Sequence, residues 1–182
     1  MRLLLRSFSL LTMALFVLGL EARAQAVPAP EARPSPLSLA QITTDNGTYV
    51  KVVYGSPRKR DRVVFGELVP YGQVWRLGAN EATELTVTKP VMVAGKHLNP
   101  GTYSLFAIPN QNQWTIIVNR TLGLWGAYDY KQDTDVFRVD VPATAGAETH
   151  EAFTFKLDKA TGGADLLILW DKTRVVVPIR PM

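Results

Sequence analysis

The sequence predicts an all-β domain, an antiparallel β-sandwich or jelly roll of about nine short strands. Three observations predict it. Apolar residues recur with a period of two rather than 3.6. Turn-forming clusters separate the runs at short intervals. No amphipathic stretch of ordinary helical length interrupts them in the 182 residues.

Val50–Tyr54 is the first run with this pattern, and Leu85–Val93 the next. The latter contains Pro90, which has no N–H to give a central ladder and so breaks the run. Tyr103–Ile108 and Trp114–Val118 flank the polar link Pro109-Asn110-Gln111-Asn112-Gln113, which reads as a hairpin. In Val136–Val141, Phe137, Val139 and Val141 face one way and Arg138 and Asp140 the other. Phe153, Phe155 and Leu157 alternate with Thr154 and Lys156 in the same manner, so both segments are half-buried strands. Leu166–Trp170 is apolar without a break and suits a central strand covered on both faces. Val175, Val177 and Ile179 resume the alternation, with Val176 and Pro178 between them. Lys159–Gly163 and Asp171-Lys172-Thr173 read as turns. Between residues 64 and 80, Gly66, Pro70, Gly72 and Gly78 break every period, and a short helical turn is expected at Phe65–Leu68.

The N-terminus reads as an export signal. Arg2 and Arg6 precede an apolar run from Leu10 to Leu20, and Ala22-Arg23-Ala24 places small residues where a signal peptidase reads, so cleavage is expected before Gln25. A retained anchor is the alternative, but the run is short against the roughly 20 apolar residues that span a bilayer. Residues 25–36, with Pro28, Pro30, Pro34 and Pro36, read as a disordered tether, and residues 37–182 as a single domain. The protein is therefore expected in the periplasm or outside the cell, with no membrane insertion after cleavage. Its oligomeric state is not legible.

Composition excludes several chemistries. There is no cysteine, hence no disulfide and no lipid-modified cysteine. The two histidines, His97 and His150, lie in a connector and at a strand start, too few for a histidine-built zinc site, so no metal is expected. No Gly-x-Ser-x-Gly elbow, dinucleotide fingerprint or phosphate loop is present, and no cofactor is implied. The leader takes three arginines and one glutamate with it, so the chain's excess of +4 falls to +2. Arg58-Lys59-Arg60-Asp61-Arg62 is therefore read as a solvated loop, with one arginine tied to a carboxylate, and nucleic acid is not expected as a partner. Asn46-Gly47-Thr48 and Asn119-Arg120-Thr121 match the glycosylation acceptor pattern, which a bacterial leader makes irrelevant.

Two loop segments carry the candidate site. Val63–Thr83 gathers Glu67, Trp75, Arg76, Asn80, Glu81 and Thr83, and Leu124–Tyr130 gathers Trp125, Tyr128 and Asp129. Long loops on a rigid scaffold are where binding groups sit, and Trp and Tyr offer flat apolar faces with a polar handle. Trp75, Arg76, Asn80, Glu81, Thr83, Trp125 and Tyr128 are the ligand-binding candidates. A structural reading competes: Trp75 plugs one end of the fold, and Arg76 with Glu81 forms a buried ion pair whose disruption costs about 3–5 kcal/mol. Trp114 and Trp170 lie in strands and are assigned to the core.

Several blocks together resemble a known family. They are Tyr54-Gly55-Ser56-Pro57 with Lys59-Arg60, Phe65–Gly72, Val74-Trp75-Arg76, Gly78-Ala79-Asn80-Glu81-Ala82-Thr83, Gly101–Leu105, Trp114–Ile117 and Trp125-Gly126-Ala127-Tyr128. The family they resemble is the exported bacterial family known as domain of unknown function twenty-nine-eleven, over Leu37 to Pro181. The resemblance implies a secreted or periplasmic domain with Gly78–Thr83 as a hallmark, and brings no activity, cofactor or catalytic residue with it.

Two functions follow. Aromatic loops without a conventional catalytic set point to a non-catalytic binding module of the cell envelope, with carbohydrate or peptide as ligand. The alternative is a glycan hydrolase using Glu67, Glu81 or Asp129, since two carboxyl groups roughly 5–9.5 Å apart can cleave a glycosidic bond unaided.

Overall fold

The structure, a computed structural model, describes residues 33–182. The leader, its cleavage point and most of the tether lie outside the described residues. The strands are β1 (Leu37–Thr43), β2 (Tyr49–Gly55), β3 (Thr83–Val87), β4 (Val91–Val93), β5 (Lys96–Leu98), β6 (Gly101–Pro109), β7 (Gln113–Asn119), β8 (Asp135–Ala160) and β9 (Gly163–Pro181). A 3-10 turn at Gln132–Thr134 precedes β8.

The fold is all-β and antiparallel, as the alternation predicts, but its nine strands form one sheet that is not closed, in the order β1-β2-β3-β6-β7-β8-β9-β4-β5. It differs from a two-sheet sandwich because the hairpin β8–β9 is long and bent. The first part of β8 pairs with β7 and the rest with β9, so hydrogen bonding never breaks between the two halves. Within β9 the backbone turns at Asp171 (φ 51°), opposite a register shift in β8. The end of β9 thereby returns to its start. Arg180 donates to the Ala164 carbonyl at 2.6 Å and pairs with Asp165 at 2.7 Å. The expected hairpin turn at Asp171-Lys172-Thr173 is thus a bend inside a strand. The turn before Gly163 does join β8 to β9.

Folding the hairpin in two brings the inner faces of the sheet together. Tyr54 of β2 meets Phe153 and Phe155 of β8 edge-on, at 5.8 and 4.9 Å between ring centroids, although three strands separate β2 from β8 in the sheet. Alternation explains the filling: Val50, Val52, Leu85, Val87, Trp114, Ile116 and Val118 point into one core. Leu166–Trp170 is buried at every residue, as its unbroken apolar run predicts. Pro90 lies between β3 and β4 and separates them. Two strands depart from the sequence reading: β1, and β5 inside a segment read as a connector. These are the two edges of the sheet.

The outer face of β6 and β7 is covered as well. Phe106, Ile117 and Ala82 form a second small core, against which Val74, Leu124, Ala127 and Tyr130 pack. The two loop segments of the candidate site are therefore laid on the back of the sheet. A polar cluster anchors the second of them. Asp135 accepts from the Tyr130 hydroxyl at 2.7 Å, from Arg138 Nε at 2.8 Å and from Asn119 Nδ2 at 2.8 Å. Burial, and the hydrogen bond to the Asp135 carboxylate, push the Tyr130 phenol up to about 12. A raised phenol pKa leaves stability untouched below the unfolded value near 10 and removes it as pH rises toward 12. Ultraviolet difference titration of the native protein should show a late-ionising tyrosine, and Tyr130→Phe should remove the component near pH 12. Its persistence in that variant would refute the assignment.

Candidate functional site

The segment between β2 and β3 has no helix at Phe65–Leu68. It makes a tight turn there, closed by Gly66 N–H to the Val69 carbonyl at 2.9 Å, because Gly66 takes a left-handed conformation (φ 98°) that ends any helical start. Val64 and Val69 are buried beneath it. The chain then runs beside β6, where Trp75 and Ala107 exchange both backbone hydrogen bonds, at 2.7 and 2.8 Å. This aims the Trp75 indole into the core end. It stacks on Trp170 at 5.9 Å and meets Phe65, Trp114 and Phe153 edge-on. Its Nε1 donates to the Gly78 carbonyl at 3.1 Å.

Beyond Trp75 the backbone visits the left-handed region at Leu77 (φ 52°) and Asn80 (φ 64°). These two reversals separate Arg76 from Glu81, and the expected ion pair between them does not exist. Glu81 pairs instead with Arg33, whose Nη1 lies 2.7 Å from both carboxylate oxygens. Asn80 Nδ2 donates to the Ser35 carbonyl at 3.2 Å, and Ser56 N–H to the Pro36 carbonyl at 2.9 Å. Residues 33–36 are thus strapped across the block. Thr83 is fully buried, and its hydroxyl donates to the Leu77 carbonyl. The second loop is stitched to the first through Ala82 N–H to Leu124 O and Gly126 N–H to Asn80 O, both 2.9 Å. Trp125 lies opposite Glu81 in an isolated bridge, its side chain exposed.

A cavity of about 570 Å³ opens beside this block. Trp75 and Trp170 form part of its wall, Pro34 and Ser35 another part, and Tyr128, 83% exposed, stands at its rim. Arg58, Arg60, Arg62 and Arg76 line it too. Of the sequence candidates, Trp75, Arg76 and Tyr128 line the cavity. Asn80 and Glu81 hold the strap that walls it, Thr83 pins the turn beneath it, and Trp125 lies outside. Glu67 and Asp129 are exposed and do not line it.

A scan of family models matches the chain over residues 35–179 to the protein family of unknown function DUF2911. The chain belongs to that family. No curated protein and no solved structure matches it. In this DUF2911 domain the cavity draws on blocks that carry the family resemblance, Val74-Trp75-Arg76 and Gly55-Ser56-Pro57 with its basic run among them. Sequence reasoning missed the arginine run as part of the site. The carboxylate expected to tie one of those arginines is present, but Lys59 takes it, pairing with Asp171 at 3.0 Å. The available signal was three arginines in five residues with one intervening acid. Trp170, assigned to the core, is core and cavity wall at once.

The pairing has a direct test. Glu81→Ala should cost about 1–3 kcal/mol, because Glu81 is 41% exposed but its loss leaves the 11% exposed Arg33 side chain without its acceptor. Arg76→Ala should stay within about 0.5 kcal/mol of wild type. Denaturant unfolding of single and double variants should find coupling between Arg33 and Glu81, and none between Arg76 and Glu81. Coupling of the second pair would restore the buried-pair reading.

Proposed function

We propose that this domain is a non-catalytic binding module of the bacterial cell envelope, and that a saccharide is held in the cavity between Tyr128 and the arginine loop. One observation carries the reading: an open cavity of about 570 Å³ with two indoles in its wall and an exposed phenol at its rim. Ligand pockets fall in the range of roughly 300–1,000 Å³ and are lined by aromatic faces with a few polar groups. Sugar rings present flat C–H faces that the exposed Tyr128 ring can stack upon, over a floor bordered by the buried indoles. Binding is favoured over hydrolysis because Glu67, Glu81 and Asp129 all lie off the cavity wall, and Glu81 is committed to Arg33. The export leader supports a place in the envelope.

Because Trp75 and Trp170 border the cavity, their fluorescence should report occupancy. Titration with envelope glycan fragments should give a saturable change, and Tyr128→Ala should weaken it about three- to tenfold. Saturation by peptides alone would replace saccharide with peptide as the ligand. Release of reducing ends during the titration would favour the hydrolase.

A further inference from the structure

Resting on that cavity as the ligand site, we infer that the saccharide it takes is acidic, with a carboxylate or phosphate group received by Arg76 and the arginines of the 58–62 loop. Among the described residues, the cavity wall carries Arg58, Arg60, Arg62 and Arg76, and no aspartate or glutamate. None of these four takes part in an ion pair among the described residues. Elsewhere in the domain, six Lys or Arg side chains do find carboxylate partners. The contrast extends within one loop, where Lys59 is neutralised by Asp171 while its arginine neighbours are not.

The arginine loop is built rather than loose. Lys59 N–H donates to Glu151 O at 2.7 Å and Phe153 N–H to Pro57 O at 2.8 Å, which joins the loop to the middle of β8. The Arg60 N–H donates to the Glu151 carboxylate at 3.0 Å, and Arg60 and Asp61 both hold left-handed backbone. Arg62 is fixed by its Nε and Nη2 on the carbonyls of Lys59 and Arg58, at 2.8 and 2.6 Å. Arg76 Nε is shielded from water and has no hydrogen-bond partner among the described residues. A guanidinium is planar and presents donors in a fork that matches carboxylate and phosphate oxygens. Gly126 lets Tyr128 and Arg76 close over it: a Cβ there would sit 3.0 Å from the Tyr128 ring and 3.3 Å from Arg76 Nη1.

Like charges drawn together beside apolar walls repel one another until an anion enters, and such a cleft concentrates the opposite charge. The Tyr128 ring would meet the ring of a sugar and the guanidinium groups its acidic substituent. Neutral sugars satisfy the first requirement alone.

The test uses matched pairs and calorimetry on the exported form of the chain: oligogalacturonate against its methyl ester, and glucose 6-phosphate against glucose. The acidic member of at least one pair should bind about tenfold tighter or more than its neutral partner, and the pair that does so identifies carboxylate or phosphate as the group received. That preference should shrink as salt is raised from 0.05 to roughly 0.5 M. Arg76→Ala, with an unfolding midpoint near wild type, should abolish it, and Arg76→Lys should recover less than half of it on a logarithmic scale, since an ammonium lacks the fork. Equal affinity for acidic and neutral members would overturn this inference and leave the cavity as a sugar site. A preference unchanged in both Arg76→Ala and Arg58→Ala/Arg60→Ala would overturn it too. Binding of none of the four probes would overturn it together with the saccharide reading.

Discussion

Gly55→Ala is expected to be among the most damaging single substitutions in the domain, at about 3 kcal/mol or more. Gly55 ends β2 where the Trp75–Thr83 block crosses it, and the two backbones touch. A Cβ on Gly55 would lie 2.1 Å from the Ala79 carbonyl oxygen and 2.9 Å from its carbon. One on Gly78 would lie 2.9 Å from the Gly55 oxygen, so the closeness is enforced from both sides. Overpacking that side chains can absorb costs about 1–3 kcal/mol. Here the obstacle is a main-chain carbonyl, held by Ala79 N–H to Gly55 O at 3.2 Å and by the pinned turn that follows. Relief requires moving the whole block off the sheet. Against a domain stability of about 5–15 kcal/mol, this is a large loss. Gly95→Ala is the control, with positive φ (81°) and open space around it, and should cost about 1 kcal/mol. Urea midpoints rank the two. A Gly55→Ala midpoint as close to wild type as the control would contradict the close approach.

Trp75→Ala should rival it, at about 3–5 kcal/mol. The indole is nearly buried and touches four other aromatic rings, with centroid separations between 5.1 and 6.0 Å. Each such pair is worth about 0.5–1.5 kcal/mol beyond the area it buries. The variant also leaves the Gly78 carbonyl without its indole donor. Trp75→Phe should recover most of the loss but not the hydrogen bond. Thermal unfolding checks the ranking. A Trp75→Ala variant within about 1 kcal/mol of wild type would mean that the indole is a removable lining of the cavity rather than part of its frame.

The strands that sequence made legible carry one apolar face with a clean period, as at both ends of β8, an unbroken apolar run, as in β9 from Leu166 to Trp170, or a hairpin link beside them, as in β7. β1 was not legible because its exposed positions are apolar: Leu37 and Leu39 are 48% and 58% exposed, so alternation does not mark which face is inward. β5 has three residues, too few to show a period. The bend at Asp171 carries the same residues as a hairpin turn, and the pairing that distinguishes them is made by β8, far away in sequence. At the site, Trp75 and Tyr128 were legible as aromatic residues in loops. The pairing of Arg76 with Glu81 was inferred from nearness along the chain, and two left-handed residues undo that nearness. Arg33, which takes Glu81, is 48 positions away. That four arginines share a cavity with no counter-charge among the described residues is a property of space, which no local pattern carries.

The folded-over hairpin has a kinetic consequence. β8 and β9 are joined by a short turn and pair along much of their length, so their contacts close small loops. The pairing of β4 with β9 is distant in sequence, as with Val91 and Pro181, and sheets rich in such contacts fold in milliseconds to seconds. The hairpin pairs with β7 on one side and β4 on the other, and so offers both halves of the sheet an edge to build on. Substitutions at Gly162 or Gly163 are therefore expected to slow refolding. Those in the cavity loops, which dock onto the finished sheet, should chiefly hasten unfolding. How long the cavity survives is then governed by its loops, and how soon it appears by the hairpin that gives Trp170 to its wall.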